Sequence, residues 1–190
     1  MNFKSILKNI LLEEHLPGTA LFVGRMQPLT IAHYNIIDDA RKKYDYIFVI
    51  IVAGKSKKNN PLTFKQRIEL VYKAFEGKIP MSHIIKAPNA FTPSIIDYLQ
   101  RYISKEKHKN RFVIFSGEDR ANEYVNQIEK YYNGSAQVNV HIIPRKEESI
   151  SATKVRKALM NDDISSYKRL MPHTLWDEYE ELKQIINNVE

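Results

Sequence analysis

The chain contains no cysteine. Disulfides, thiolate metal centres and thiol catalysis are therefore excluded. No apolar run approaches the roughly eighteen residues that a membrane-spanning helix needs. The first stretch holds Glu13, Glu14, His15 and Pro17 without a long apolar core, so no secretory leader is expected and a cytoplasmic location is. Neither G-x-G-x-x-G nor a P-loop occurs, so two familiar phosphate-binding fingerprints are missing. His15, His83, His108, His141 and His173 lack the spacing of H-E-x-x-H or a comparable zinc set, which argues against a metal held by the protein. There is no G-x-S-x-G elbow, no internal repeat and no long low-complexity segment.

What is present is a 190-residue chain with 43% hydrophobic residues and a formal charge of +7. That length suits one domain, or one with a short appendage. The positive balance suits nucleic acid, an acidic membrane or a nucleotide substrate, without choosing among them.

Hydrophobic periodicity alternates between strand and helix. Residues 3–14 read as an amphipathic helix, ended by Pro17-Gly18. Strands are expected at 19–23, 46–53, 82–86, 111–116 and 138–143. Helices are expected at about 33–43, after Thr63, after Thr92-Pro93, at 121–132, from Ser151 or Thr153 to about 160, and in the tail from Pro172. Thr92 is a candidate cap for its helix, and so is Asp119. The tail carries Leu175, Tyr179, Leu182, Ile185 and Val189 on one stripe. Such alternation implies right-handed crossovers and a parallel sheet covered on both faces. The fold class is α/β, a Rossmann-like open parallel sheet flanked by helices, with a C-terminal helical segment. The expected divisions are an N-terminal helical extension over 1–18, the α/β domain over 19–160 and the helical segment over 161–190.

Two segments bring hydroxyls and cations to the point where a strand gives way to a helix: Gly24-Arg-Met-Gln-Pro-Leu-Thr-Ile-Ala-His33 and Ile150-Ser-Ala-Thr-Lys-Val-Arg156. Unpaired first-turn amides and the helix dipole favour an anion there. Gly24 permits a tight turn or a close ligand, and Arg25 offers a bidentate fork. Thr30 and His33, three apart, place hydroxyl and imidazole together. Ser151 and Thr153 are alternative caps for a helix whose next turn brings Arg156. Lys55 sits in a lysine-rich loop with Lys57 and Lys58, and Arg67 lies early in the following helix. Gly117-Glu-Asp-Arg120 closes another strand, where Asp119 and Arg120 can face the same edge. Ligands of open parallel sheets bind outside the carboxyl ends of the strands, where these loops would converge.

The first segment resembles the (H/T)xGH signature region of the nucleotidyltransferase superfamily, and most of all the GRxQPxHxGH form of archaeal-type nicotinamide-nucleotide adenylyltransferases. The second is similar to the family's ISxTxxR motif, and Asn60-Pro-Leu-Thr-Phe-Lys-Gln-Arg67 to its NPFTxxER segment. The resemblance implies transfer of AMP from ATP to a small phosphorylated acceptor, nicotinamide mononucleotide, with release of pyrophosphate and no covalent enzyme intermediate. Magnesium would travel with the ATP phosphates and have few protein ligands. His33, Thr30 and Arg156 would carry the catalytic contacts. Gly24, Arg25, Met26, Ala32, Lys55, Arg67, Gly117, Asp119, Arg120, Ile150, Ser151 and Thr153 would line the nucleotide. Two departures stand out: Thr30 replaces the first signature histidine, and Ala32 stands where glycine is usual. The family also implies a homo-oligomer. CTP as donor, nicotinate mononucleotide or phosphopantetheine as acceptor, a non-enzymatic nucleic-acid-binding role and a degenerate regulator are the competing readings. No stable nucleic-acid partner and no membrane association are expected.

Overall fold

The computed structural model describes residues 16–54, 60–103, 110–144 and 150–188. The helix expected over 3–14, Lys55, Lys57, Lys58, the side chain of Asp119 and Val189 lie outside the described residues.

Five strands form one parallel sheet in the order β3-β2-β1-β4-β5. They are β1 (Leu16–Gly24), β2 (Tyr44–Val52), β3 (Ile84–Ala87), β4 (Arg111–Gly117) and β5 (Gln137–Ile143). The connecting helices are α1 (Ile31–Lys43), α2 (Phe64–Ala74), α3 (Thr92–Ile103) and α4 (Glu118–Tyr131). After the sheet come α5 (Ala152–Met160), α6 (Ile164–Leu170), a 3-10 turn at His173–Glu178 and α7 (Tyr179–Asn187).

Alternation along the strands sorts the core into two layers. Ile47, Val49 and Ile51 of β2 join Ala20 and Phe22 of β1 under α1, α2 and the C-terminal helices. Phe48, Ile50 and Val52 point the other way with Leu21, against Ile95, Ile96 and Leu99 of α3 and Tyr124 of α4. A central strand covered on both faces needs apolar side chains at successive positions, which is why β2 is hydrophobic from Tyr46 to Val52.

Several details differ from the sequence expectation. Pro17-Gly18 lies inside β1 as a register irregularity between Leu16 and Thr19. Gly18 has φ 130°, its N–H donates to Asp45 Oδ2 at 2.9 Å, and a Cβ would come within 2.8 Å of the Arg111 carbonyl oxygen. The Pro-Gly pair therefore shapes a strand that starts at Leu16. Thr92 is buried and its hydroxyl donates to Gln127 Oε1 at 3.0 Å, tying α3 to α4. Helix α4 starts at Glu118 with Gly117 as an N-cap that makes no side-chain capping bond, so Asp119 stands within the first turn and not at the cap. Helix α6 falls within the segment expected to be helical over 161–190, although no separate helix was placed there. Its seven residues bury only Tyr167 and Leu170, too few to establish a period, and it is started by Asp163 Oδ1 accepting from Ser166 N at 2.9 Å.

The tail is stitched to the body at several points. Lys73 Nζ lies 2.8 Å from Glu178 Oε1, Thr174 Oγ1 donates to the Ala74 carbonyl at 3.0 Å, and Tyr167 OH donates to the Leu175 carbonyl at 2.6 Å. Leu175, Tyr179, Leu182 and Ile186 complete the first core layer, with Ile185 packed at its margin. Trp176 is 40% exposed, its indole N–H donating to the Lys168 carbonyl at 3.0 Å.

Replacing Gly18 by alanine forces a side chain into a backbone region that only glycine adopts freely, at a cost of about 1–3 kcal/mol. At this chain length each kcal/mol lowers the melting temperature by roughly 2–4 °C. A thermal melt of Gly18→Ala should show that fall, and an unchanged midpoint would contradict the geometry.

Candidate active site

The strand order reverses direction between β1 and β4, and the carboxyl ends of these neighbours form the crevice where open α/β sheets bind ligands. Their register pairs Phe22 with Phe115, which brings Gly24 and Gly117 to the same level as the strands end. At the end of β2, the Asn60 side chain occupies the space a Cβ on Gly54 would fill. A larger residue at position 54 would require the Asn60 side chain to move aside.

Helix α1 starts at this edge. Thr30 is its N-cap, within a reciprocal capping box. Its Oγ1 accepts from the His33 backbone N–H at 3.4 Å, while His33 Nδ1 accepts from the Thr30 backbone N–H at 3.2 Å. A backbone N–H can only donate, so Nδ1 must be unprotonated and the ring proton sits on Nε2. The imidazole thus presents a fixed N–H donor. Its ring packs edge-on against Phe22, centroids 5.6 Å apart. Burial lowers the His33 pKa from 6.5 to about 4, so the ring is neutral at physiological pH. Thr30 is fully buried, and its Oγ1 lies 3.1 Å from His33 Nδ1. Its part in the site therefore runs through orienting His33. Ala32 is the second helical residue and is partly buried, one position before that imidazole.

Helix α5 supplies the second turn. Ser151 caps it, Oγ accepting from Lys154 N at 3.3 Å. Ile150 packs at the margin of the first core layer and fixes where that turn begins. Arg156, one turn into α5, reaches the first segment: Nη1 donates to the Gln27 carbonyl at 2.6 Å, and Nη2 to Thr153 Oγ1 at 3.1 Å. Burial holds the Arg156 guanidinium below its ordinary range, with a further push from the charge of Arg25. Arg25 itself is exposed. Among the described residues no carboxylate pairs with either arginine. Two neighbouring cations without a counter-charge, beside two helix starts, are an arrangement whose chemistry suits an anion.

Arg67 stands differently from its expected place along the phosphate path. Only 3% of it is exposed. Nη1 donates to the carbonyls of Arg25 at 2.7 Å and Val52 at 2.8 Å, Nε to the Thr63 carbonyl at 3.3 Å, and the guanidinium lies over the Phe64 ring at 4.2 Å. It buckles the ends of β1 and β2 to the start of α2. Met26 is buried with φ 51°, so only its main chain is left for a ligand. Gly117 and Arg120 stand at the mouth, Arg120 exposed on the first turn of α4. Among the described residues no group of three His, Asp or Glu side chains can hold a metal ion.

One participant escaped the sequence reading. Gln27 is 3% exposed, and its amide bonds both main-chain groups of Leu62. Its signal was the glutamine of the GRxQPxHxGH form that the first segment resembles, to which no role was given.

The family model described as cytidylyltransferase-like matches residues 21–158. The chain belongs to that family. The chain is similar to the nicotinamide-nucleotide adenylyltransferase of Sulfurisphaera tokodaii, 27% identical over 176 residues that cover 86% of this chain and 91% of that one. The phosphopantetheine adenylyltransferase of Nautilia profundicola is also 27% identical, over 153 residues covering 77% and 90%. A solved bifunctional NMN adenylyltransferase/ADP-ribose pyrophosphatase from Francisella tularensis, complexed with AMP and a manganese ion, superposes with a TM-score of 0.58 at 18% identity. That match covers 90% of this chain and 52% of the bifunctional one, so this chain spans about half its length, and it establishes the fold alone. The protein is therefore a nucleotidyltransferase enzyme related to nicotinamide-nucleotide and phosphopantetheine adenylyltransferases. No helix among the described residues is long and apolar enough to cross a membrane.

The His33 assignment is testable without substrate. In the unfolded chain an imidazole binds its proton near pH 6.5, before the folded ring does at about 4. This contribution to stability is therefore whole above pH 6.5 and falls as pH drops toward 4. Nitrogen-15 NMR should show His33 as the Nε2–H tautomer from pH 5 to 8 (about one unit above the folded value at its acid end). Titration near 6.5 would contradict this.

Proposed function

We propose that the protein transfers AMP from ATP to nicotinamide mononucleotide, forming NAD and releasing pyrophosphate. The observation that carries this reading is the Arg156–Gln27 bond, which closes the two phosphate-binding turns around one anion site. The alignment with the Sulfurisphaera enzyme along most of both chains supports this acceptor.

The triphosphate lies along the starts of α1 and α5. Arg156 and Ser151 hold the β- and γ-phosphates, with Thr153 supporting the turn and Arg25 adding charge. His33 donates its Nε2–H to an oxygen of the reacting phosphorus. The acceptor phosphate attacks that phosphorus in line, and its P–O bond forms as the bond to the leaving pyrophosphate breaks. The protein contributes positioning and charge neutralisation, and no side chain needs to act as nucleophile. Gly117, Arg120 and the Asp119 region border the nucleoside end, and Lys55 is assigned to the phosphates from its place in the sequence alone. Magnesium supplies further neutralisation when bound; the cationic, hydroxyl-rich donor set suits an ion held by substrate phosphates and water more than by protein carboxylates. We place this reaction in the cytoplasm and in a homo-oligomer.

A second reading, transfer to phosphopantetheine, is favoured by the alignment with the Nautilia enzyme. A panel of ATP and CTP against nicotinamide mononucleotide, nicotinate mononucleotide and phosphopantetheine separates the two. Pyrophosphate should appear with ATP and nicotinamide mononucleotide; turnover confined to another pair would reject the assignment. In the active combination, His33→Ala should reduce kcat by about thirty- to a thousand-fold, the loss of one transition-state contact worth roughly 2–4 kcal/mol. An unimpaired His33→Ala enzyme would remove His33 from the chemistry.

A further inference from the structure

Three attachments converge on the turn between β1 and α1. The Arg25 carbonyl accepts from Arg67 Nη1 at 2.7 Å, and the Gln27 carbonyl accepts from Arg156 Nη1 at 2.6 Å. The buried amide of Gln27 makes the third: Nε2 donates to the Leu62 carbonyl at 2.9 Å, and Oε1 accepts from the Leu62 N–H at 2.9 Å. Between the two carbonyls Met26 is left-handed, with φ 51° and 2% exposure. A buried, non-glycine residue in that conformation persists only where its surroundings over-determine it. The anchors on either side of Met26 do this.

The Gln27 amide satisfies one backbone donor and one backbone acceptor of the same residue, as a strand partner would. Methionine has the volume but neither polar group, ionised glutamate lacks the donor, and asparagine is one methylene short. Releasing this amide leaves the Leu62 N–H and carbonyl unpaired in a buried place and frees the turn to shift. The Gln27 carbonyl would shift with it, and that carbonyl tethers Arg156. A guanidinium has five N–H groups, so the tether fixes Arg156 while leaving others for phosphate oxygens.

We propose that Gln27 is a positioning residue for nucleotidyl transfer, its side-chain clamp on Leu62 holding the carbonyl that aims Arg156 at the phosphates. The inference rests on the proposed transfer reaction but not on which acceptor is used. An untethered arginine still neutralises charge in the ground state; it no longer sits where charge develops. Loss of the clamp therefore acts on kcat more than on the KM for ATP.

The test is a double-mutant cycle on the full-length protein, read as pyrophosphate release with whichever donor and acceptor the parent turns over, with melting temperatures in parallel. Gln27→Met should lower kcat by about tenfold or more while the KM for ATP moves by less than about threefold. In an Arg156→Ala background the same change should cost less than about twofold, because the group it positions is gone. An equal loss in both backgrounds, or a lower melting temperature with kcat intact, would overturn the proposal. If Gln27→Met does not fold, Gln27→Glu serves: protonation restores the missing donor, so its activity relative to the parent should rise as pH falls, and a flat ratio would overturn it. A parent with no turnover on any pair would defeat the functional reading itself.

Discussion

One hydrogen bond joins the parts of this molecule that matter for its chemistry. Arg156 and the Gln27 carbonyl lie on segments separated by most of the sheet in sequence, yet their atoms are 2.6 Å apart. Each segment alone is a capped helix start, a feature common to many proteins. Joined, they bring the Arg156 guanidinium to the turn that precedes the first helix, near Arg25. The sheet makes the junction possible, because β1 and β4 end at one level where the strand order reverses.

The electrostatics of that junction are asymmetric by construction. Arg25 and Arg156 oppose one another and lack a carboxylate partner among the described residues. Arg67, by contrast, has its charge spread over main-chain carbonyls and an aromatic face. A neutral His33 adds no third positive charge beside them. On the proposed function, a polyphosphate would relieve the repulsion between the two arginines.

Much of this was legible beforehand, and the limits have physical causes. The fully apolar run of β2 announced a sheet buried on both faces, and the alternation of strands and helices announced its parallel topology. Thr30, His33, Ser151 and Arg156 were readable because their spacing follows the helix period. What local pattern cannot carry is a contact between distant segments. Arg67 looked like a phosphate ligand from its place near a helix start; its burial and three carbonyl partners became visible only with the fold. Gln27 was missed for the same reason, since its partner is Leu62. The bounds of helix α6 were hidden by its brevity within the expected C-terminal helical segment, and Pro17-Gly18 reads as a breaker until Asp45 and Arg111 are seen to require the bend.

The central claim is that the two turns serve one triphosphate. A crystal structure with a non-hydrolysable ATP analogue tests it most directly. The account predicts the phosphates within hydrogen-bond reach of both His33 Nε2 and the Arg156 guanidinium. An ordered triphosphate that touches only one of the two, or neither, would contradict it.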